Sequence, residues 1–188
     1  MSISSSGTVS IPGTFSPTNI TTTGDISSGG SVVGFVTSII KTNTLSANAG
    51  SKGEGTVIAE GTSYSGGNLT AGSTYQLVPD PTTSSLMSWK ITNSTSASDA
   101  TGLLAVALGT APIQGMLLRG LVVVSGIHSS TAVGSPLYLR TSDGLLSSTA
   151  PAATGNIVRI VGYLLQHTST VGLSVIYFNP SQDFITLS

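Results

Sequence analysis

GSPLYLRTSDGLLSSTAP, residues 134–151, reads as a hairpin in miniature. Leu137, Tyr138 and Leu139 make a short apolar run that ends at Arg140. Ser142, Asp143 and Gly144 then supply a turn. Asp can bond its side chain back to the main chain, and Gly tolerates positive φ. Leu145 and Leu146 form the returning arm, and a Ser/Thr/Ala/Pro tail ends it. Nothing in the stretch carries reactive chemistry.

The same grammar extends outward. VTSII and KTNTL, TVIAEG before the turn SGGN, STYQLV before PDP, SWKI, LLAVALG, GMLLRGLVVV, NIVRIVGYLL, GLSVIYF and FITL alternate with Gly, Pro and Asn turns. Many short apolar runs at regular spacing predict an all-β sandwich or barrel. The length and flanking glycines of LLAVALG favour a buried strand over a helical turn. In NIVRIVGYLL, strict alternation places Val158 and Ile160 toward the core, with Arg159 and Tyr163 on a wetter face. Gly162 within that run signals a bulge or a close approach of another backbone. In GMLLRGLVVV, Arg119 stands among leucines and valines and is expected to be partly buried and paired, with Asp143 and Asp183 as candidate partners.

The chain has 188 residues, only 7% of them charged, and a formal net charge of −1. Its mean hydropathy is +0.36, yet no apolar run approaches the roughly 20 residues of a spanning helix. The longest are Leu103–Leu108 and Met116–Val124, the second interrupted by Arg119. With no cysteine there is no disulfide or thiolate metal site. The six Lys and Arg are scattered singly, whereas a nucleic-acid partner demands a basic stripe. Met-Ser-Ile-Ser-Ser-Ser has neither the basic region nor the apolar core of a signal peptide, so synthesis in a cytoplasm is expected.

Residues 1–34 have a different texture, Ser, Thr and Gly with isolated apolar positions. Ile20, Ile26 and Val32 recur every six residues. One chain cannot bury single side chains at such intervals, but several copies wound about a shared axis can. A disordered Ser/Thr/Gly linker is the competing reading.

No catalytic constellation stands out. His128 and His167 have no second histidine at helical spacing and no nearby carboxylate. Glu54 and Glu60 are the closest carboxyl pair, and two solvated strand-edge charges account for them better than a glycosidase pair does. Neither GSKGEG nor SGGN contains the GxxxxGK[ST] pattern of a phosphate loop or follows a strand into a helix, and both read as turns. The Asn-x-Ser/Thr triplets at Asn19, Asn68 and Asn93 follow from a Ser/Thr-rich composition. Among the aromatics, Trp89 and Tyr138 are the candidates for a receptor or partner surface, with core packing the alternative for Trp89.

The order of the C-terminal half resembles a β domain of bacteriophage virion proteins, found in tail fibres, head fibres and decoration proteins of cyanophages and marine phages. Gly134, Leu137, Tyr138, Leu139, Thr141, Gly144 and Pro151 carry the first part of that pattern. Arg159, Val161, Gly162, Tyr163 and Leu165 carry the second, and Phe178, Asn179, Pro180 and Ser181 the third. The resemblance covers residues 102–188 and, more weakly, the strands from Gly55. TTGDISSGG in turn resembles the shaft repeats of trimeric phage fibres.

The resemblance implies an all-β homotrimer. An extended arm or shaft over 1–34, with Ile20, Ile26 and Val32 as trimer or anchor positions, precedes a sandwich- or barrel-like domain over 35–188. It implies a non-enzymatic capsid decoration (cement) protein or head fibre in the virion. Its partners are then further copies of itself and the major capsid protein or other virion proteins. A short tail fibre that binds a host cell-surface glycan or protein is the alternative. No catalytic residue, cofactor, metal, nucleic acid or membrane insertion is expected.

Overall fold

The computed structural model describes residues 2–3, 9–10, 48–50, 53–168 and 172–188. The chain divides into two units, Met1–Thr42 and Asn43–Ser188. In the first, β1 (Ser2–Ile3) pairs antiparallel with β2 (Val9–Ser10). Ile20, Ile26 and Val32, and the expected boundary after residue 34, lie outside the described residues.

The second unit is all-β. Its first strands are β3 (Glu54–Ile58), β4 (Thr62–Ser63), β5 (Thr74–Pro79), β6 (Met87–Ile91), β7 (Leu104–Ala107) and β8 (Met116–Ser125). They are followed by β9 (Pro136–Leu139), β10 (Leu146–Ser147), β11 (Ile157–Val158), β12 (Ile160–His167), β13 (Leu173–Phe178) and β14 (Ile185–Thr186). Two single 3₁₀ turns, Ala97–Asp99 and Pro112–Gln114, are the only helical pieces among the described residues. None of those residues forms a helix long and apolar enough to cross a membrane.

Ten strands form one mixed sheet in the order β10-β9-β12-β13-β8-β7-β5-β6-β4, with β3 beside β8. Every pairing in it is antiparallel except β4 with β6. The ten-residue β8 organises it. On one edge β8 takes β7 at Met116 and Leu117 and β13 from Gly120 to Ser125. β3 overlaps both stretches and therefore lies along the other edge. β11 and β14 make a separate two-stranded ladder.

The 134–151 hairpin forms as expected, with Leu139 opposite Leu146 and Tyr138 opposite Ser147. Arg140 N–H donates to the Leu145 carbonyl at 3.1 Å. Asp143 Oδ1 accepts from Leu145 N–H at 3.2 Å, and Asp143 and Gly144 both have φ near +66°. The turn is no free tip. Gly144 C=O accepts from Thr74 N–H at 2.7 Å, and its N–H donates to Thr92 C=O at 3.1 Å. Ser94 N–H donates to Arg140 C=O at 2.8 Å, and Ile157 N–H to Ser94 C=O at 2.7 Å. Backbone bonds thus tie the β9–β10 end of the strand order to the segment that follows β6.

The larger buried cluster gathers Leu104, Val106, Leu117, Val122, Leu137, Leu139, Leu146, Ile157, Val161, Leu164, Ile176 and Phe178 with their neighbours. A second holds Leu69, Tyr75, Trp89, Ala105, Ala107 and Met116. Burial of these β-branched and aliphatic side chains supplies the main drive for the fold, at about 1.5–3 kcal/mol for each large side chain.

Three expectations need correction. NIVRIVGYLL is not one alternating strand. Ile157, Val161 and Leu164 enter the core, while Val158 and Ile160 stay half-buried. From Ile157 to Val161 burial alternates with the odd positions inward, the opposite face to the one expected. A register shift against β9 between Ile160 and Gly162 then changes the side-chain parity, so that Leu164 is buried. Arg159 is accordingly buried, not wet. Arg119 is exposed and bonds Tyr177 Oη at 3.0 Å rather than Asp143 or Asp183. A register shift against β3 lies at this point, with Thr56 opposite Arg119 and Val57 opposite Leu117. Of GSKGEG, Gly50 lies in a turn and Glu54 and Gly55 belong to β3, while residues 51–52 lie outside the described residues.

Candidate functional site

Two concavities of the β unit bring together residues that the sequence keeps apart. The first is an apolar groove of about 360 Å³ lined by Tyr138, Val158, Ile160, Ser181, Asp183, Phe184 and Ile185. Tyr138 stands on β9, where alternation sends Leu137 and Leu139 inward and leaves its ring half-exposed. Val158 and Ile160 flank Arg159 and are the outer positions of the alternation from Ile157 to Val161. Phe184 and Ile185 follow the Asn-Pro-Ser segment and are strongly exposed, Ile185 at 65%. Four aliphatic or aromatic side chains and a tyrosine thus meet at the surface, where the only charged lining residue is Asp183.

The second is a cleft of about 480 Å³ between the start of β7, the middle of β8, Arg159 and the segment Asn179–Gln182. Arg159 is 3% exposed. Its Nε donates to Ser181 C=O at 2.7 Å, and its Nη1 donates to Ala100 C=O at 2.7 Å and Gly102 C=O at 2.9 Å. These bonds tie the loop before β7 to the segment after β13. Burial lowers the Arg159 pKa from the ordinary arginine value. Arg119 enters the same cleft from β8.

Of the two expected surface aromatics, Tyr138 is on the groove and Trp89 is not a surface residue. Trp89 is 1% exposed. Its indole N–H donates to Glu60 C=O at 2.9 Å, and its ring packs in the second core cluster. The position faces inward on β6, and the indole N–H finds a backbone acceptor in the Glu60 carbonyl. Beside it, Tyr64 carries Lys90 Nζ at 5.6 Å from its ring centroid.

Lys90, Asp99, Asp80 and His167 make structural contacts. Lys90 pairs with Asp99 at 2.6 Å, and Asn93 Nδ2 donates to the second Asp99 oxygen at 3.0 Å. Burial alone raises the Asp99 carboxyl, but Lys90, Asn93 and Ser98 outweigh it and hold it below the ordinary value. Thr62, Thr82 and Thr83 donate to Asp80 and hold that carboxyl well below the usual range. His167 Nε2 donates to Thr131 C=O at 2.9 Å, and its Nδ1 meets Ser174 Oγ at 3.0 Å. The ring thereby latches the 128–131 loop onto β12 and β13. His128 Nδ1 meets Ser130 Oγ at 2.7 Å in the exposed loop. Among the described residues no three His, Asp or Glu side chains group as metal ligands.

Sequence reasoning missed the Arg159 cleft because strict alternation assigned the wrong parity. The one signal pointing to it was an arginine inside a run of β-branched residues. Comparison with known protein families, curated proteins and solved structures returned no match.

Proposed function

We propose that the chain is a non-enzymatic structural protein of a phage virion, a homotrimeric capsid decoration (cement) protein or head fibre. In this reading residues 1–34 form the anchoring arm or shaft. The sandwich- or barrel-like β domain projects from it and packs against copies of itself and the capsid protein.

The observation that carries the proposal is the apolar groove of Tyr138, Val158, Ile160, Phe184 and Ile185. Contiguous exposed apolar surface marks an interaction site when it occurs on a soluble domain. The chain around it is only 7% charged, so little charge is desolvated when two such surfaces meet. The resemblance of residues 102–188 to phage virion β domains supplies the setting. Capsids stripped of the protein are expected to rebind it and to gain resistance to heat. Failure of added protein to bind or protect them contradicts the proposal.

A short tail fibre recognising a host surface glycan or protein is the second reading. It is favoured by Tyr138, whose half-exposed ring lines an open groove of the size that binds small ligands. Purified protein then adsorbs to host cells and competes with infection, and a Tyr138→Ala variant loses both effects.

A further inference from the structure

Arg159 is the one buried cation among the described residues, and the fold leaves its bonds incomplete. Nε and both hydrogens of Nη1 are taken by the carbonyls of Ser181, Ala100 and Gly102. Nη2 has no acceptor among the described residues. Nor does it count among the fully buried, unpartnered side-chain atoms, which are Thr74 Oγ1 and Ser94 Oγ. It therefore keeps some access to solvent, and Arg159 lines the cleft. The ion pairs among the described residues join Lys90 to Asp99 and Arg140 to Asp143, and neither includes Arg159 or Arg119. Arg119 gives its Nε to Tyr177 Oη, which leaves both of its terminal amino groups to face solvent or the cleft.

A guanidinium 97% removed from water and answered only by carbonyl dipoles is costly, because a buried charge is normally met by an opposite one. No Asp or Glu lines the cleft, and neither does a lysine. Leu103, Leu104, Leu118 and Pro180 give the cleft an apolar part, beside the polar Thr101, Asn179 and Gln182. We propose that this cleft is a carboxylate-binding site, in which Arg159 Nη2 and the Arg119 guanidinium hold the carboxylate and the apolar wall receives the carbon skeleton of a small organic acid. A planar monoanion suits two guanidinium groups, and the wall favours an anion with a hydrocarbon part over inorganic phosphate. The site is independent of where the protein sits in a virion, and at about 480 Å³ it has the size of a small-molecule pocket.

The test follows the ¹⁵Nε–¹H signals of the arginines in the full chain during titration with hexanoate, with hexanamide and with inorganic phosphate. Hexanoate is expected to shift the Arg159 and Arg119 signals saturably, with a dissociation constant of about 1 mM. Hexanamide, which keeps the skeleton and lacks the charge, is expected to bind at least about tenfold more weakly. Arg119→Gln, at an exposed position, is expected to fold normally and to weaken hexanoate about tenfold. Leu103→Asp, on the exposed wall, is expected to abolish binding through like-charge repulsion. The proposal is overturned by no saturable shift up to about 50 mM hexanoate, by hexanamide binding as well as hexanoate, by phosphate binding more tightly than hexanoate, or by Arg119→Gln retaining full affinity.

Discussion

Arg159 shows how one side chain can do the work of a disulfide in a chain without cysteine. Its three carbonyl bonds clamp the loop at Ala100 and Gly102 to Ser181 across 57 to 59 residues of sequence on one side and 22 on the other. Arg159→Ala leaves those carbonyls without their donor, and we expect it to lower unfolding free energy by about 3 kcal/mol or more in a urea titration. Trp89, the only tryptophan, gives a second residue-level test. Buried with its indole bonded to Glu60, it is expected to emit at short wavelength and to resist iodide quenching. Long-wavelength, quenchable emission places it on the surface instead. Asp99 and Asp80 set the acid limit. Both carboxyls are held below the ordinary 3.8 when folded. A depressed folded value gives stabilisation that is complete above the unfolded pKa and drains as pH falls through the folded one. Stability is thus expected to fall below about pH 4, and Asp99→Asn to flatten that acid limb while lowering stability at pH 7.

At the scale of elements, the hairpin from β9 to β10 and the β12–β13 pair carry the fold. Gly144 sits at positive φ with Thr74 and Thr92 bonded to its backbone. A Cβ there meets the Thr74 carbonyl at 2.7 Å and Ile91 at 2.8 Å. Gly144→Ala is expected to cost about 1–3 kcal/mol, near the upper end because strain and clash coincide. At Gly162 a Cβ would press on the Tyr177 carbonyl of the neighbouring strand, and Gly162→Ala is expected to disturb β12–β13 pairing by a similar amount, read by amide hydrogen exchange on Leu164 and Ile176. Both glycines were legible from sequence, since a turn and an interrupted strand advertise themselves locally. The strands of the C-terminal half were legible for the same reason. The docking of the turn on Thr74 and Thr92 was not, because it joins segments about 50 to 70 residues apart and has no local pattern. The parity of NIVRIVGYLL was lost for a related reason. Alternation holds only within an unbroken ladder, and between Ile160 and Gly162 β12 sets one extra residue, Val161, against β9. Arg159 faces inward and Val158 and Ile160 outward, the reverse of the expected faces, so the cleft and the groove were both hidden from a reading that assumed one straight strand.

For the whole molecule, the account rests on surface rather than on reactive groups. In the proposed virion role, the exposed Phe184 and Ile185 beside Val158 and Ile160 are the surface that a partner covers. Ile185→Asp, at an exposed strand position, is expected to leave the melting temperature within a few degrees while abolishing rebinding to stripped capsids. The most direct measurement is the copy number of the protein in purified phage particles, by quantitative mass spectrometry against the major capsid protein. The decoration and head-fibre account predicts a number that scales with the capsid lattice in multiples of three. A handful of copies per particle, or none, contradicts it.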